Sequence, residues 1–178
     1  MTYEEKTISS EMIYEGKILN LRKDKVTVKD DNTSYREIVE HPGGVGIAAV
    51  TENRGLLMVK QFRKTAEEVV LEIPAGTREP GEDPMITGIR ELKEETGFSA
   101  EKFSFLASFY SSIGYSTEMI YLYMAEGLTP GETDFDDNEA IDLYEFPIQE
   151  LVQMVKDGEI IDGKTITAIL LTAARLGL

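Results

Sequence analysis

The sequence contains no cysteine and only one histidine among its 178 residues. The absence of cysteine excludes disulfide bonds, thiolate nucleophiles and cysteine-ligated zinc. Any Ser-His or histidine-metal mechanism would depend on His41 alone, and we expect that residue to be structural rather than catalytic. Carboxylates are therefore the candidates for acid-base and metal chemistry.

Basic side chains are scarce, with 18 Lys and Arg against 33 Asp and Glu, which gives a net charge of -15. This excess argues against nucleic acid or an anionic membrane surface as a partner. It would also repel any anionic ligand unless bound cations and local arginines reverse the field where that ligand binds.

Long apolar runs are also missing. None approaches the 18 residues of a membrane span, and the first residues lack the basic and apolar regions of a signal peptide. We therefore expect a cytoplasmic protein. The hydrophobic content of 42% and charged content of 29% are typical of a globular protein with one main domain.

Residues 76–98, GTREPGEDPMITGIRELKEETGF, form the most informative stretch. Asp83 before Pro84 is a typical helix start, and Gly97 is a typical helix stop. They predict a helix of about three turns. Glu82 precedes Arg90 by eight residues, and we expect the two to pair and orient the helix.

This predicted helix has two contrasting faces. One stripe is apolar, and we expect it to face the core: Met85, Ile89 and Leu92. Roughly opposite lie three carboxylates: Glu91, Glu94 and Glu95. Their mutual repulsion would destabilise the helix unless a cation bound among them, and a hard divalent ion such as Mg²⁺ takes oxygen ligands and substrate phosphates. The pattern predicts a metal site for a phosphorylated ligand, with a solvated acidic face as the alternative.

The same stretch resembles the signature of the Nudix hydrolases, G-x5-E-x7-R-E-U-x-E-E-x-G-U with U apolar. Every fixed position matches: Gly76, Glu82, Arg90, Glu91, Leu92, Glu94, Glu95, Gly97 and Phe98. The resemblance implies a pyrophosphatase that cleaves nucleoside diphosphate derivatives, with Mg²⁺ or Mn²⁺ bound by the glutamates of the helix. It places Glu94, Arg90 and Glu82 among the catalytic residues. The implied fold is an α/β/α sandwich with a mixed sheet.

The remaining strand and helix patterns agree with an α/β fold in which helices cover both faces of a mixed sheet. Short strand-like segments in residues 6–39 predict a small antiparallel sheet. We divide the chain into this appendage, residues 1–42, and a catalytic domain, residues 43–178. Within the latter, residues 45–50 and 56–61 are expected to form a hairpin.

A homodimer is expected because the N-terminal strands are too few to be stable alone and would expose their edges unless paired. The resemblance implies the same assembly, in which the N-terminal residues of the partner reach the substrate.

Further motifs resemble the ADP-ribose pyrophosphatase branch of the family. They are Arg36-Glu37-Ile38-Val39-Glu40-His41-Pro42-Gly43, Gln61-Phe62-Arg63, Glu72-Ile73-Pro74-Ala75-Gly76, Gly114-Tyr115-Ser116-Thr117-Glu118 and Asp162-Gly163-Lys164-Thr165. The resemblance implies that the Ala75 carbonyl is a further metal ligand and that Arg36 and Arg63 hold substrate phosphates or ribose. The alternative for both arginines is a screened surface salt bridge.

The segment of residues 111–118 is polar and long for a hairpin, so we expect a flexible loop whose Gly114 and Glu118 contact substrate. ADP-ribose hydrolases usually have proline where this chain has Ile113. Since proline would stiffen the loop, Ile113 predicts a broader preference that includes other ADP-sugars. The alternatives are other nucleoside diphosphate sugars, nucleoside triphosphates and a non-catalytic ADP-ribose sensor.

The general base is expected outside the metal-binding helix, whose carboxylates are already engaged. A loop can deliver such a group when substrate binds. We choose Glu139, which also matches where the ADP-ribose branch places its catalytic glutamate. Glu118 is the second choice, and a solvated acidic loop is the alternative.

Overall fold

The computed structural model describes residues 3–131 and 142–178. These residues form ten β-strands, one 3-10 turn and three α-helices. In chain order they are β1 (Thr7–Glu15), β2 (Asn20–Thr27), the 3-10 turn (Lys29–Asp31), β3 (Thr33–Glu40), β4 (Gly44–Ala49), β5 (Gly55–Arg63), β6 (Glu68–Glu72), β7 (Ala75–Thr77), α1 (Pro84–Thr96), β8 (Phe98–Tyr110), β9 (Met119–Pro130), β10 (Asp142–Pro147), α2 (Ile148–Lys156) and α3 (Gly163–Leu176). None of the described helices has the length and apolar character needed to cross a membrane.

The chain divides into two compact units. The smaller contains β1, β2 and β3, which form an antiparallel sheet in that order, together with residues 110–119. This sheet confirms the antiparallel strands predicted for the N-terminal region. All nine residues of β1 are exposed in the single chain.

Residues 110–119 are held more firmly than the expected flexible loop. The Val39 amide donates to the Tyr115 carbonyl (2.8 Å), and the Thr117 amide donates to the Val39 carbonyl (2.9 Å). The segment therefore runs beside the end of β3 as a parallel bridge. Its polar composition predicted a loop correctly, but its backbone hydrogen bonds to a distant strand were not visible in the sequence.

The larger unit contains two sheets. One has the order β7-β4-β9-β8 and is mixed, because β4 runs parallel to β9 and antiparallel to β7. The other is antiparallel and has the order β10-β5-β6. The hairpin expected for residues 45–50 and 56–61 is wrong: β4 and β5 belong to different sheets, and Val50, just after β4, forms an isolated antiparallel bridge with Leu56. Both edges of β4 are already occupied by β7 and β9, so no edge remains for β5.

Two hydrophobic clusters lie on opposite faces of β4, whose residues are all buried. Ala48 belongs to the cluster that contains residues of α2 and α3. Ile47 and Ala49 belong to the cluster that contains Leu92 of α1. Because successive strand residues point to opposite faces, β4 separates two helical layers. The predicted α/β/α sandwich is confirmed.

The ends of α1 follow the local signals in the sequence. The Asp83 side chain accepts a hydrogen bond from the Met85 amide (2.8 Å), and Pro84 occupies the first helical position. At the other end Gly97 has a φ of 75° and donates its amide to the Lys93 carbonyl. Both ends depend on residues adjacent in sequence, which is why they were predictable.

The predicted core stripe of α1 is only partly correct. Leu92 is buried, but two other members are exposed by more than two fifths: Met85 (42%) and Ile89 (46%). The buried face instead includes Gly88 and Glu95. A Cβ on Gly88 would lie 3.2 Å from a Val45 methyl, so the missing side chain lets this face of the helix approach β4 closely.

We expect Leu92→Ala to lower the free energy of unfolding by about 2–5 kcal/mol because it leaves a cavity in the core. Ile89→Ala should change it by less than about 1 kcal/mol, since Ile89 is half exposed. Urea unfolding of both variants provides the comparison. Equal losses would mean that the original apolar stripe, rather than the Gly88 face, is the buried one.

Candidate active site

Gly76 of β7 lies directly beneath the carboxylate of Glu91. A Cβ built on Gly76 would be 1.9 Å from the Glu91 carboxyl carbon, so any side chain here would displace that carboxylate. Glu91 is itself mostly shielded from solvent. The glycine that opens the sequence signature therefore provides the space in which the Glu91 carboxylate lies against the strand backbone.

Glu95 makes a second contact between α1 and β7. The Ala75 amide donates to Glu95 Oε2 at 2.9 Å, and Glu95 is only 4% exposed. A buried carboxylate is costly unless it is hydrogen-bonded or paired. The contact places Glu95 beside the residue whose carbonyl was predicted to be a metal ligand.

Arg90 lies among three of the predicted site carboxylates. Its Nη1 is 2.7 Å from Glu91 Oε1 and 2.8 Å from Glu94 Oε2, and its Nη2 is 3.5 Å from Glu82 Oε2. Burial lowers the pKa of Arg90, but the charge of Glu91 and the hydrogen bonds to Glu82 and Glu94 outweigh it and raise that pKa. The expected contact between Glu82 and Arg90 is present.

Glu82 is held in place by groups in addition to Arg90. Its Oε2 accepts hydrogen bonds from the Thr87 hydroxyl (2.8 Å) and the Glu79 amide (3.1 Å). These two bonds lower the pKa of Glu82. The carboxylate thus joins the loop before α1 to the first turns of the helix.

The oxygen-rich donor set suits a hard divalent cation. This set consists of the carboxylates of Glu91, Glu94 and Glu95 and the backbone carbonyl of Ala75. The space over Gly76 accommodates the Glu91 carboxylate. Within residues 3–131 and 142–178, however, no three acidic or histidine side chains converge as a metal site. Glu91 and Glu94 turn toward the Arg90 guanidinium, so a cation here would compete with Arg90 for them.

Sequence reasoning missed the role of Arg78, which occupies an unspecified position of the signature. Its Nε and Nη2 donate to the Glu82 carbonyl (3.2 and 2.5 Å), and its guanidinium lies over the Tyr121 ring at 5.3 Å. Arg78 therefore fixes the loop that carries Glu82. Only its place inside the signature could have drawn attention to it.

Arg63 forms a bidentate pair with the buried Glu72, rather than a screened surface salt bridge. Its Nε and Nη2 lie 2.5 and 2.8 Å from the two carboxylate oxygens, and Lys164 also donates to Glu72. Burial raises the pKa of Glu72, but the bonds from Arg63 and Lys164 outweigh it and hold that pKa below its usual value. These residues and Asp162 line a cavity of about 240 Å³.

The smaller unit contains three predicted substrate-binding residues. Arg36 of β3 pairs with Glu5 through two nitrogens. Gly114 borders open space, next to Ile113, which is 80% exposed. Glu118 Oε1 lies 3.4 Å from His41 Nδ1. The same nitrogen accepts a hydrogen bond from the Gly43 amide (3.0 Å). Glu139, the predicted base, lies outside the described residues.

Two known families together match nearly the whole chain. The NUDIX domain matches residues 40–169. A second family, described as the nucleoside diphosphate sugar hydrolase N-terminal domain, matches residues 5–39.

Individual relatives are similar over most of their length. The chain is 44% identical to a methanol dehydrogenase activator of Bacillus methanolicus, covering 94% of this chain and 91% of the relative. It is 41% identical to an ADP-ribose pyrophosphatase of Bacillus subtilis, covering 93% and 91%. A crystal structure of an ADP compounds hydrolase superposes with a TM-score of 0.88 over 99% of this chain and 96% of that one. At 19% identity, that likeness concerns the fold.

Proposed function

The chain belongs to the Nudix family, and we propose that it hydrolyses the diphosphate bond of ADP-ribose, giving AMP and ribose 5-phosphate, or that of a related ADP-sugar. The observation that carries the proposal is the packing of the Glu91 and Glu95 carboxylates against the backbone of β7. The 41% identity to an ADP-ribose pyrophosphatase supports the choice of substrate. Other ADP-sugars are included because Ile113 stands where ADP-ribose hydrolases usually have proline.

Nudix hydrolases generally need a divalent metal ion, and we propose Mg²⁺, with Mn²⁺ as a substitute. Glu91, Glu94, Glu95 and the Ala75 carbonyl would hold it. When bound, such an ion supplies Lewis-acid chemistry, withdrawing charge from the diphosphate and making the attacking water more acidic.

Other residues of the chain bind substrate or move a proton in this proposal. Glu139 accepts the proton of the water that attacks phosphorus, and the P–O bond to the leaving phosphate breaks. Arg63 and Arg36 bind phosphate or ribose oxygens. Arg90, oriented by Glu82, sets the positions of Glu91 and Glu94 on α1.

A second candidate function is regulation of a partner enzyme, as with a sensor that binds ADP-ribose without cleaving it. The 44% identity to a methanol dehydrogenase activator favours it. The intact set of signature glutamates favours hydrolysis. Binding of ADP-ribose in a calorimeter, without turnover of any nucleotide, would decide for the sensor.

When a panel of nucleoside diphosphate derivatives and triphosphates is assayed, we expect the protein to hydrolyse ADP-ribose and ADP-sugars. EDTA should abolish this activity. Glu94→Gln should lower kcat by at least about 100-fold, because the metal ligands should matter at least as much as their outer partners. Glu126→Gln is the control, since that carboxylate pairs with Lys102 outside the signature. Full activity in EDTA would rule out the metal mechanism.

We expect Glu139→Gln to lower kcat by about 10²- to 10⁴-fold, the usual contribution of a general base, while metal and substrate affinities stay near wild type. Glu118→Gln should have a smaller effect, because Glu118 lies against His41. Initial rates and titrations of both variants test this. A silent Glu139→Gln with an inactive Glu118→Gln would assign the base to Glu118.

We propose that residues 1–42 form an appendage that dimerises the chain and contributes to substrate binding, with residues 43–178 as the catalytic domain. The exposure of all nine β1 residues supports this, because an edge strand with apolar residues on its surface favours association. Light scattering should give twice the mass of one chain, and Met12→Asp should reduce it. A fully active monomer at micromolar concentration would contradict the proposal.

A further inference from the structure

The motif Asp162-Gly163-Lys164-Thr165 begins α3, and its side chains form a network larger than a helix cap. Asp162 Oδ2 accepts hydrogen bonds from the Thr165 amide (3.0 Å), the Thr165 hydroxyl (2.5 Å) and Lys164 Nζ (2.9 Å). Since the hydroxyl of Thr165 donates its proton to Asp162, its lone pairs are directed elsewhere.

The Thr165 hydroxyl oxygen accepts the amide of Ile73, 92 residues earlier in the chain, at 3.0 Å. Both residues are fully buried. Ile73 and Pro74 connect the end of β6 to the start of β7, which belong to different sheets, so this amide lies outside both ladders. A buried amide needs an acceptor, and α3 provides one through a side chain.

Four consecutive residues, Glu72 to Ala75, are held by contacts from β4, β5, α1 and α3. The Glu72 carboxylate is bound by Arg63 and Lys164. The Ile73 amide is bound by Thr165, the Pro74 carbonyl accepts the Ile47 amide (2.8 Å), and the Ala75 amide binds Glu95. Through these contacts both α3 and α1 bind the segment that joins β6 to β7.

We propose that Thr165, oriented by Asp162, is a positioning residue for the divalent-cation site, because it fixes the segment that carries the Ala75 carbonyl and meets Glu95. The inference rests on the proposed function, which assigns those oxygens to the cation. Thr165 contacts neither substrate nor cation in this role. It acts through the Ile73 amide, two residues before Ala75.

The chain provides a matched control on the same helix. Thr172 of α3 is as fully buried as Thr165, but its hydroxyl has no hydrogen-bond partner within the part of the chain that the structure describes. Thr165→Val and Thr172→Val therefore exchange the same atoms at equally buried positions. Only the first removes the acceptor of the Ile73 amide.

The test is Mn²⁺ binding to the full chain, measured by electron paramagnetic resonance in the absence of substrate. Thr165→Val should weaken the Mn²⁺ affinity by about tenfold, the lower range seen when an outer partner of a metal ligand is removed. Thr165→Ser keeps the hydroxyl and should bind as wild type, and Thr172→Val should do the same. A thermal unfolding curve of each variant separates affinity from stability.

A further variant keeps the test decisive if valine at position 165 prevents folding. Thr165→Cys has a weaker acceptor, so it should bind Mn²⁺ less tightly than Thr165→Ser. Equal affinity of Thr165→Cys and Thr165→Ser, wild-type affinity of Thr165→Val, or an equal loss in Thr172→Val would overturn the inference. Wild-type protein whose Mn²⁺ binding is absent or unaffected by Glu94→Gln would instead overturn the metal site of the proposed function.

Discussion

A carboxylate taken out of water requires hydrogen bonds or cations around it, and Glu95 is such a group on the buried face of α1. Its bond to the Ala75 amide draws the helix onto β7. The same close approach leaves no room for side chains at Gly76, and it brings Gly88 against β4. The inner face of α1 is therefore partly polar. The need to satisfy the buried Glu95 carboxylate explains the orientation of α1 better than the distribution of its apolar residues does.

Charge in the larger unit is organised by local pairing despite the net charge of -15. Arg90 pairs with Glu91 and Glu94, and Arg63 pairs with the buried Glu72. Such pairing does not prevent an arginine from binding phosphate. A guanidinium has five N–H donors, and the two nitrogens of Arg63 that face Glu72 engage only part of them. The two hydrogen bonds to Glu72 fix the orientation of the Arg63 guanidinium.

The sandwich architecture explains how remote elements act on one short segment. β4 separates two hydrophobic clusters, one containing residues of α3 and the other a residue of α1. The connection between β6 and β7 passes from one sheet to the other, and it contacts α1 through Glu95 and α3 through Thr165. A backbone carbonyl in such a segment has a defined position, which is useful for any oxygen that must bind a cation.

Much of the fold and of the candidate site was predictable because it depends on neighbours in sequence. Asp83 and Gly97 set the ends of α1 through bonds within one turn. The contact between Glu82 and Arg90 followed from their spacing on the signature. Likewise the antiparallel N-terminal sheet and the α/β class follow from residue patterns within single elements.

The sequence by itself determined the ends of α1, the family signature and the chemical types available at the site. Tertiary structure decided which face of α1 is buried, that β4 pairs with β7 and β9 rather than β5, and that Thr165 meets Ile73. Each of these depends on competition for burial or for hydrogen bonds among segments far apart in the chain. Residue spacing within one segment does not reveal the outcome, because the pairing partner is determined only when the sheets and helices pack together.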